Sequence, residues 1–560
     1  MSEDPEDVED MEDDVDVDVE EPAPPPPPLP ENLQRLHFLI PASKPNPHFC
    51  YNLAAAAANR YPAPVILGWN GTGDFDAAHT HLAKLRAINR YLQNLEEADD
   101  DDLVLIVDGY DVLMQLPPEI LIERYFQVVD QHDGRISRRL GISIEETRKR
   151  GIRDTVFWGP DKWCWPTDYA AARCWAVPDS PLPRDAHGPM TGSGDMEFNN
   201  PKWLNSGTTL GPVKDVRVLL AASMEEIQRT YNPKFEQKES DQLYIANIWG
   251  RQEYFRSLDA SHGEPVGGGP PDRRVPVRKE GENVEFHTAL DYESSMFFLR
   301  AANEPFYDYI PFDHSGLNAR MNKDMFGEGQ HFVPFDIPMP ANVMFALTRL
   351  YDSIPDLHAG KTANEWIRKV RLGVGFVTKS IFPLWHCTGP KDVIDPEYTK
   401  MWFYPYARSL IKATVRAFQG GELITAHNVA GRTWAPKWPY PNTDELSDEL
   451  GGAWTDYDGL TFVEWESMCG PWAPILFGGE EPELLPPPPP PAPVAPPPPP
   501  GGDREGAPNP ADEGAPKPAD EGVPAPPVVD EGAPAPENAE EPKEALEEIE
   551  VQVETTNERP

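Results

Sequence analysis

Val104, Leu105, Ile106 and Val107 form an unbroken aliphatic run that ends directly in Asp108-Gly109-Tyr110-Asp111. A run without polar alternation fits a strand buried on both faces, as at the centre of a parallel sheet. Open α/β sheets bind ligands outside the carboxyl ends of such strands, which puts Asp108 and Asp111 at a cleft. Two hard oxygen ligands there suit a divalent cation such as manganese or magnesium. The same spacing also occurs in ordinary turn and capping acids, so the rest of the chain has to decide between the two.

The surrounding pattern favours an α/β sheet. Leu36–Ile40 reads as a strand, the alanine-rich stretch from Cys50 to Arg60 as a helix, and Pro64–Gly68 as a second strand leading into the loop at Trp69. Leu82, Leu85, Ile88, Leu92 and Leu95 recur at three- and four-residue steps, the face of a packed helix. This β-α-β-α-β alternation predicts a doubly wound, mostly parallel sheet. A helix is expected over Pro117–Asp130, a strand at Thr155–Trp158, a helix over 213–230 and loop over 261–275. Residues 300–380 show no sustained period and read as an insertion. The Trp-rich stretch 396–478 is expected to pack back on the core through Trp465 and Trp472.

Charge sets the limits of this region. Of the 560 residues, 93 are acidic and 49 are Lys or Arg, for a net charge of −44. Residues 1–32 hold 14 acids and no Lys or Arg, and 479–560 is rich in Pro, Glu and Ala with a short Glu-Gly-x-Pro repeat. Both ends are expected to be disordered, leaving one globular region at 33–478. The proline tracts suit polyproline II recognition by SH3 or WW grooves. So acidic a chain is not expected to bind nucleic acid or an anionic membrane. No apolar stretch is long enough to span a bilayer, and the N-terminus lacks the pattern of a signal peptide. Among five cysteines, Cys164 and Cys174 could bridge, with isolated buried thiols as the alternative.

Further motifs carry chemistry. Asn205, Ser206 and Gly207 form a polar corner inside an apolar strand, offering hydrogen bonds and close backbone approach, or else an ordinary turn. Ser240, Asp241 and Gln242 open a helix, where a cap explains one of them and leaves the others for a cleft. His386-Cys387-Thr388-Gly389-Pro390-Lys391 follows the apolar stretch Ile381–Trp385. The imidazole could complete a cation site, while Gly389 and Lys391 suit phosphate oxygens.

Asp-Gly-Tyr-Asp at 108–111, Cys164-Trp165-Pro166, Leu-Asn-Ser-Gly at 204–207, Ser-Asp-Gln at 240–242, Leu290-Asp291 and His-x-x-Gly-Pro-Lys at 386–391 occur in one order. Over about 33–410 this order resembles the glycosyltransferase domain of the procollagen lysyl hydroxylases, and more loosely the collagen galactosyltransferases. The resemblance implies a GT-A fold that uses manganese and a UDP-sugar donor to glycosylate a hydroxyl acceptor. It makes Asp108, Asp111 and His386 the metal ligands and Gly389 and Lys391 the diphosphate contacts. It puts Trp69 and Lys84 on the nucleotide side, and Trp165, Asn205, Ser206, Gly207 and Gln242 around sugar and acceptor. Asp241 and Asp161 become the catalytic acids, either as a base or as stabilisers of the anomeric carbon.

Two departures bear on donor and acceptor choice: Asp161 is shorter than the family's acid at that place, and Ser240 replaces an acid. The family also implies the ER or Golgi lumen, and Asn70-Gly71-Thr72 is a glycosylation sequon. Lysyl hydroxylase activity is not expected, because only His262-Gly263-Glu264 has an iron-triad spacing and it lies in a Gly/Pro loop. The alternative to an enzyme is a decayed, glycosyltransferase-like protein that recruits partners through its proline tracts.

Overall fold

The computed structural model describes residues 30–479 apart from Ala78, residues 265–266 and residues 443–448. The two tails, with their proline tracts and repeats, therefore lie almost wholly outside the described residues. The chain opens with β1 (Leu33–Pro41), α1 (Pro47–Ala58), β2 (Val65–Leu67), α2 (Leu82–Gln93), β3 (Leu103–Val107) and the short β4 (Val112–Met114). α3 (Pro118–Leu140), α4 (Ile144–Lys149), β5 (Val156–Asp161), the one-turn α5 (Ala172–Trp175), β6 (Trp203–Pro212), α6 (Val213–Thr230) and α7 (Asp241–Ala260) follow. Next come β7 (Thr288–Leu290), β8 (Phe297–Leu299), β9 (Tyr307–Pro311), β10 (Asn318–Met321), β11 (Phe335–Pro338), α8 (Ala341–Asp352) and α9 (Ala363–Ile367). The last part holds β12 (Arg371–Gly375), β13 (Ser380–Ile381), β14 (Leu384–His386), α10 (Ile394–Lys400), α11 (Ala407–Gln419), β15 (Thr433–Pro436), β16 (Gly452–Thr455) and β17 (Thr461–Glu464).

A nine-stranded sheet runs β17-β16-β2-β1-β3-β6-β5-β7, with β15 alongside β1. It is mostly parallel: β16 with β2, β2 with β1, β1 with β3 and β15, and β5 with β7. β6 runs antiparallel between β3 and β5, and β17 antiparallel to β16. Every residue of β3 is buried, and successive side chains enter different cores. Leu103, Leu105 and Val107 pack with α1 and α3; Val104 and Ile106 pack with α2, α6 and α7. Helices on both faces explain the unbroken aliphatic run, and the fold is the expected mixed α/β class with a mostly parallel central sheet.

Four sequence expectations need correction. α3 continues ten residues past Asp130, because His132, Asp133 and Ile136 stay buried and the helix stops only where Gly141 turns left-handed, φ 67°. Residues 300–380 are not irregular: β9, β12 and β13 form a sheet, and α8 buries Val343, Ala346, Leu347 and Leu350 in the larger core. Its short elements, broken by Pro and Gly, hide their periodicity in the sequence. Residues 204–207 are not a corner but the middle of β6, where the register against β5 shifts between Trp158 and Gly159. Gly159 faces Asn205 while Trp158 faces Thr209, so three residues of β6 bulge.

The cysteines also differ from the thiol reading. Cys164 pairs with Cys174, and Cys50 of α1 pairs with Cys469, leaving Cys387 buried and free. The second bridge ties the Trp-rich C-terminal stretch to the first helix. That stretch packs back as expected, with Trp465 buried and Trp472 half-buried against the core. It also extends the large sheet through β15, β16 and β17. No helix among the described residues is long and apolar enough to cross a membrane.

Candidate functional site

The turn Asp108–Asp111 joins the large sheet to a second one. β3 ends at Val107, and four residues later β4 pairs antiparallel with β14, which lies parallel to β8. Val112 faces His386 in this register, so the last residue of β14 comes directly against the acidic turn. Gly109 is required in that turn because a Cβ there would lie 2.6 Å from the Pro41 carbonyl oxygen. Asn52 of α1 donates to the Asp108 carbonyl at 2.9 Å, and the Tyr110 hydroxyl donates to the Lys44 carbonyl at 2.9 Å.

Asp108, Asp111 and His386 each bring one ligand atom to within 4.8 Å of the other two. His386 Nε2 stands 3.3 Å from an Asp111 oxygen and 3.9 Å from an Asp108 oxygen. Asp111 Oδ1 is buried without a hydrogen-bond partner among the described residues, as is His386 Nδ1. Two carboxylates and an imidazole whose ligand atoms converge this closely are a donor set that a divalent cation satisfies. Gly207 makes room for it. A Cβ at that position would lie 2.1 Å from His386 Cε1 and 2.7 Å from Asp108 Oδ2. The bulge in β6 thus brings bare backbone against the carboxylate–imidazole group, and Gly207 also accepts from the Asp108 amide at 2.8 Å.

Two lysines balance the acids. Lys84 of α2 is buried between Asp108, at 2.5 Å, and Asp241, at 2.9 Å, and donates to the Ser206 carbonyl at 2.9 Å. Lys391 reaches Asp111 at 2.5 Å from a half-exposed side chain. Burial would lower the Lys84 ammonium, but Asp108 and Asp241 outweigh it and hold Lys84 well above its ordinary range. Burial and the neighbouring Asp111 and Asp241 raise Asp108, against the pull of Lys84. Asp111 goes the other way: burial is outweighed by His386 and Lys391, which hold it well below the usual carboxylate range.

The remaining expected residues fall into two groups. Asp241 is the first residue of α7, after Ser240, whose side chain makes no cap hydrogen bond. Burial is again outweighed, here by Lys84 and Ser206, so Asp241 is held ionised. Gln242 accepts from the Ser206 amide at 3.3 Å and donates to the Trp165 carbonyl at 3.1 Å. Asn205 fixes the bulge by accepting from the Gly207 amide at 3.0 Å. Asp161 ends β5 with no ion-pair partner among the described residues. Burial pushes it up to about 6, opposed by bonds from the Lys162 amide and Asn205. Trp165 leaves 46 % of its surface open.

A cleft of about 320 Å³ adjoins the acidic turn, lined by Lys84, Asp108, Asp111, Asp241 and Lys391 together with His48, Phe75 and His81. Trp69 does not line it. Its ring packs on Phe49, centroids 5.7 Å apart, and its amide binds Asp456. Gly389, in a left-handed turn with φ 80°, does not line the cleft either. Sequence reasoning missed His48, Phe75 and His81, which belong to no motif, and Asp456, whose carboxylate also accepts from the Gly68 amide at 2.9 Å and pairs with Arg90. A second group, His37, Asp99 and Asp102, also brings ligand atoms within 4.8 Å of one another. There Lys437 pairs with Asp99, the Arg35 amide donates to Asp102, and Tyr91 meets His37, so the protein itself satisfies that group. Compared with models of known protein families and with curated proteins, the chain matches none.

Proposed function

We propose that this chain is a metal-dependent glycosyltransferase of GT-A type, moving a hexose from a UDP-sugar to a hydroxyl acceptor. The observation that carries the reading is the convergence of Asp108, Asp111 and His386 beyond the carboxyl end of β3, with both aspartates lining a cleft. The ordered resemblance of the sequence motifs supports it. Two carboxylates and one imidazole nitrogen suit manganese better than calcium, which takes oxygen ligands only. When bound, the metal supplies positive charge to a leaving diphosphate.

The chain's own residues have separable tasks. Lys391, half-exposed and tethered only at its tip, can turn from Asp111 to a donor phosphate. Lys84, buried and doubly paired, stays to neutralise Asp108 and Asp241. The two catalytic candidates are pushed apart. Asp241 is held as an anion and suits charge stabilisation, while Asp161 with its raised affinity suits proton transfer near neutral pH. Trp165 offers an open aromatic face at the acceptor side, backed by Gln242.

The test is UDP release from a panel of UDP-hexoses, with manganese and hydroxylated acceptors, by the full chain and by Asp241→Asn. Release by the wild type that falls about a hundredfold in the variant is the expected result. No release with any donor would favour the non-catalytic alternative.

A further inference from the structure

A larger trough of about 730 Å³ lies between α5, the end of α6, the first half of α7 and the 274–282 segment. Six of its lining residues are basic and three acidic, in a protein of net charge −44. Each acid is already engaged by one arginine: Asp168 by Arg274, Glu226 by Arg229 and Glu282 by Arg251. Arg173, Lys238 and Lys279 remain with no ion-pair partner among the described residues.

Arg173 is the unusual member. Only 4 % of it is exposed, yet its guanidinium meets neutral groups alone: Asn247 Oδ1 at 2.8 Å and the Pro166 carbonyl at 2.9 Å, with Nε unpartnered. A buried charge with no ion-pair contact is costly; Asp168 and Glu226 act on Arg173 only at longer range, and burial lowers it to about 10. An anion in the trough offsets that cost. The walls argue for a polypeptide rather than a phosphate. No glycine lines the trough, and the exposed Val275 and Val277 stand beside the cations.

We propose that the trough is a docking site for an acidic polypeptide segment and that its resident occupant is the chain's own residues 3–21. These nineteen residues hold thirteen acids and no base, the densest negative run in the sequence. Fully extended, the stretch from residue 3 to Pro30 spans roughly 90 Å, against a radius of gyration of roughly 22 Å for a domain of this size. A tethered segment meets the trough at an effective concentration of about millimolar, ahead of any free acidic peptide of modest affinity.

The experiment compares the full chain with a full-length variant in which every Asp and Glu of residues 3–21 becomes Asn or Gln. A fluorescein-labelled deca-glutamate peptide is the probe, read by anisotropy at low salt. The neutralised variant is expected to bind it at least tenfold more tightly than the wild type. Adding Lys238→Glu and Lys279→Glu should abolish that binding while leaving manganese and UDP binding unchanged, and 0.5 M salt should weaken it. Equal affinity in wild type and neutralised variant removes the resident segment. Gain only after neutralising the acids of 503–558 assigns the trough to the other tail and overturns the proposal, and binding that survives the lysine reversals overturns the site. The test needs no transferase activity, so its outcome is independent of the reaction assigned above.

Discussion

Gly207 is pressed against His386: a single Cβ at that position would sit 2.1 Å from the imidazole Cε1. The neighbour that would have to yield is a ring held in β14, with Asp108 Oδ2 2.7 Å away on the same side. Gly207→Ala is therefore expected to displace the ligand set while β6, paired on both sides, survives. Manganese affinity should fall at least tenfold with an unchanged far-ultraviolet circular dichroism spectrum. Undiminished affinity would show that the close approach is not needed.

Lys84 neutralises two carboxylates at once, the buried Asp241 and the partly exposed Asp108. Lys84→Met leaves Asp108 and Asp241 without that counter-ion, a change worth less than the roughly 3–5 kcal/mol of a fully buried broken pair because water reaches part of Asp108. Urea unfolding should show that loss without metal and partial recovery when manganese is added, since a ligand that binds only the folded state stabilises it. A loss that manganese does not reduce would separate Lys84 from the cation site.

Asp161 gives the protein a pH signature. Its folded affinity for a proton is raised, to about 6 from 3.8, so the fold binds that proton more tightly than the unfolded chain does. The contribution is most favourable below about pH 4 and is lost as pH rises through 6. Asp161→Asn should flatten this part of the stability profile, measured as urea midpoints from pH 4 to 8. In the proposed reaction the ionised form is the base, so turnover should rise as pH increases through about 6 and lose that limb in the variant.

The Cys50–Cys469 bridge closes most of the described chain. Cys469→Ala is expected to cost about 2–5 kcal/mol by freeing the unfolded state. The melting temperature of the wild type should fall on reduction and that of the variant should change less. Manganese binding should persist in both, because the bridge joins α1 to the C-terminal stretch and touches no ligand residue.

The sequence revealed those parts of the site where one local pattern does the positioning. Val104–Asp111 announces a buried strand that ends in acids, and the step from Ile381–Trp385 to His386 announces another strand end. What brings His386 to Asp111 is the pairing of β4 with β14, two three-residue strands about 270 positions apart, too short to show a period. The bulge in β6 was hidden for the opposite reason. Asn205-Ser206-Gly207 looks like a turn, and only the shifted register on β5 shows that the strand continues through it. Lys84 lies on the polar face of an amphipathic helix, where a buried, doubly paired lysine leaves no local trace.

The central claim is that Asp108, Asp111 and His386 hold one divalent cation. Titrating the wild type and Asp111→Asn with manganese, with free ion followed by electron paramagnetic resonance, tests it most directly. One bound ion per chain in the wild type, with affinity at least tenfold lower in the variant, is the predicted result. Equal manganese binding by both proteins, or none by either, would contradict the claim.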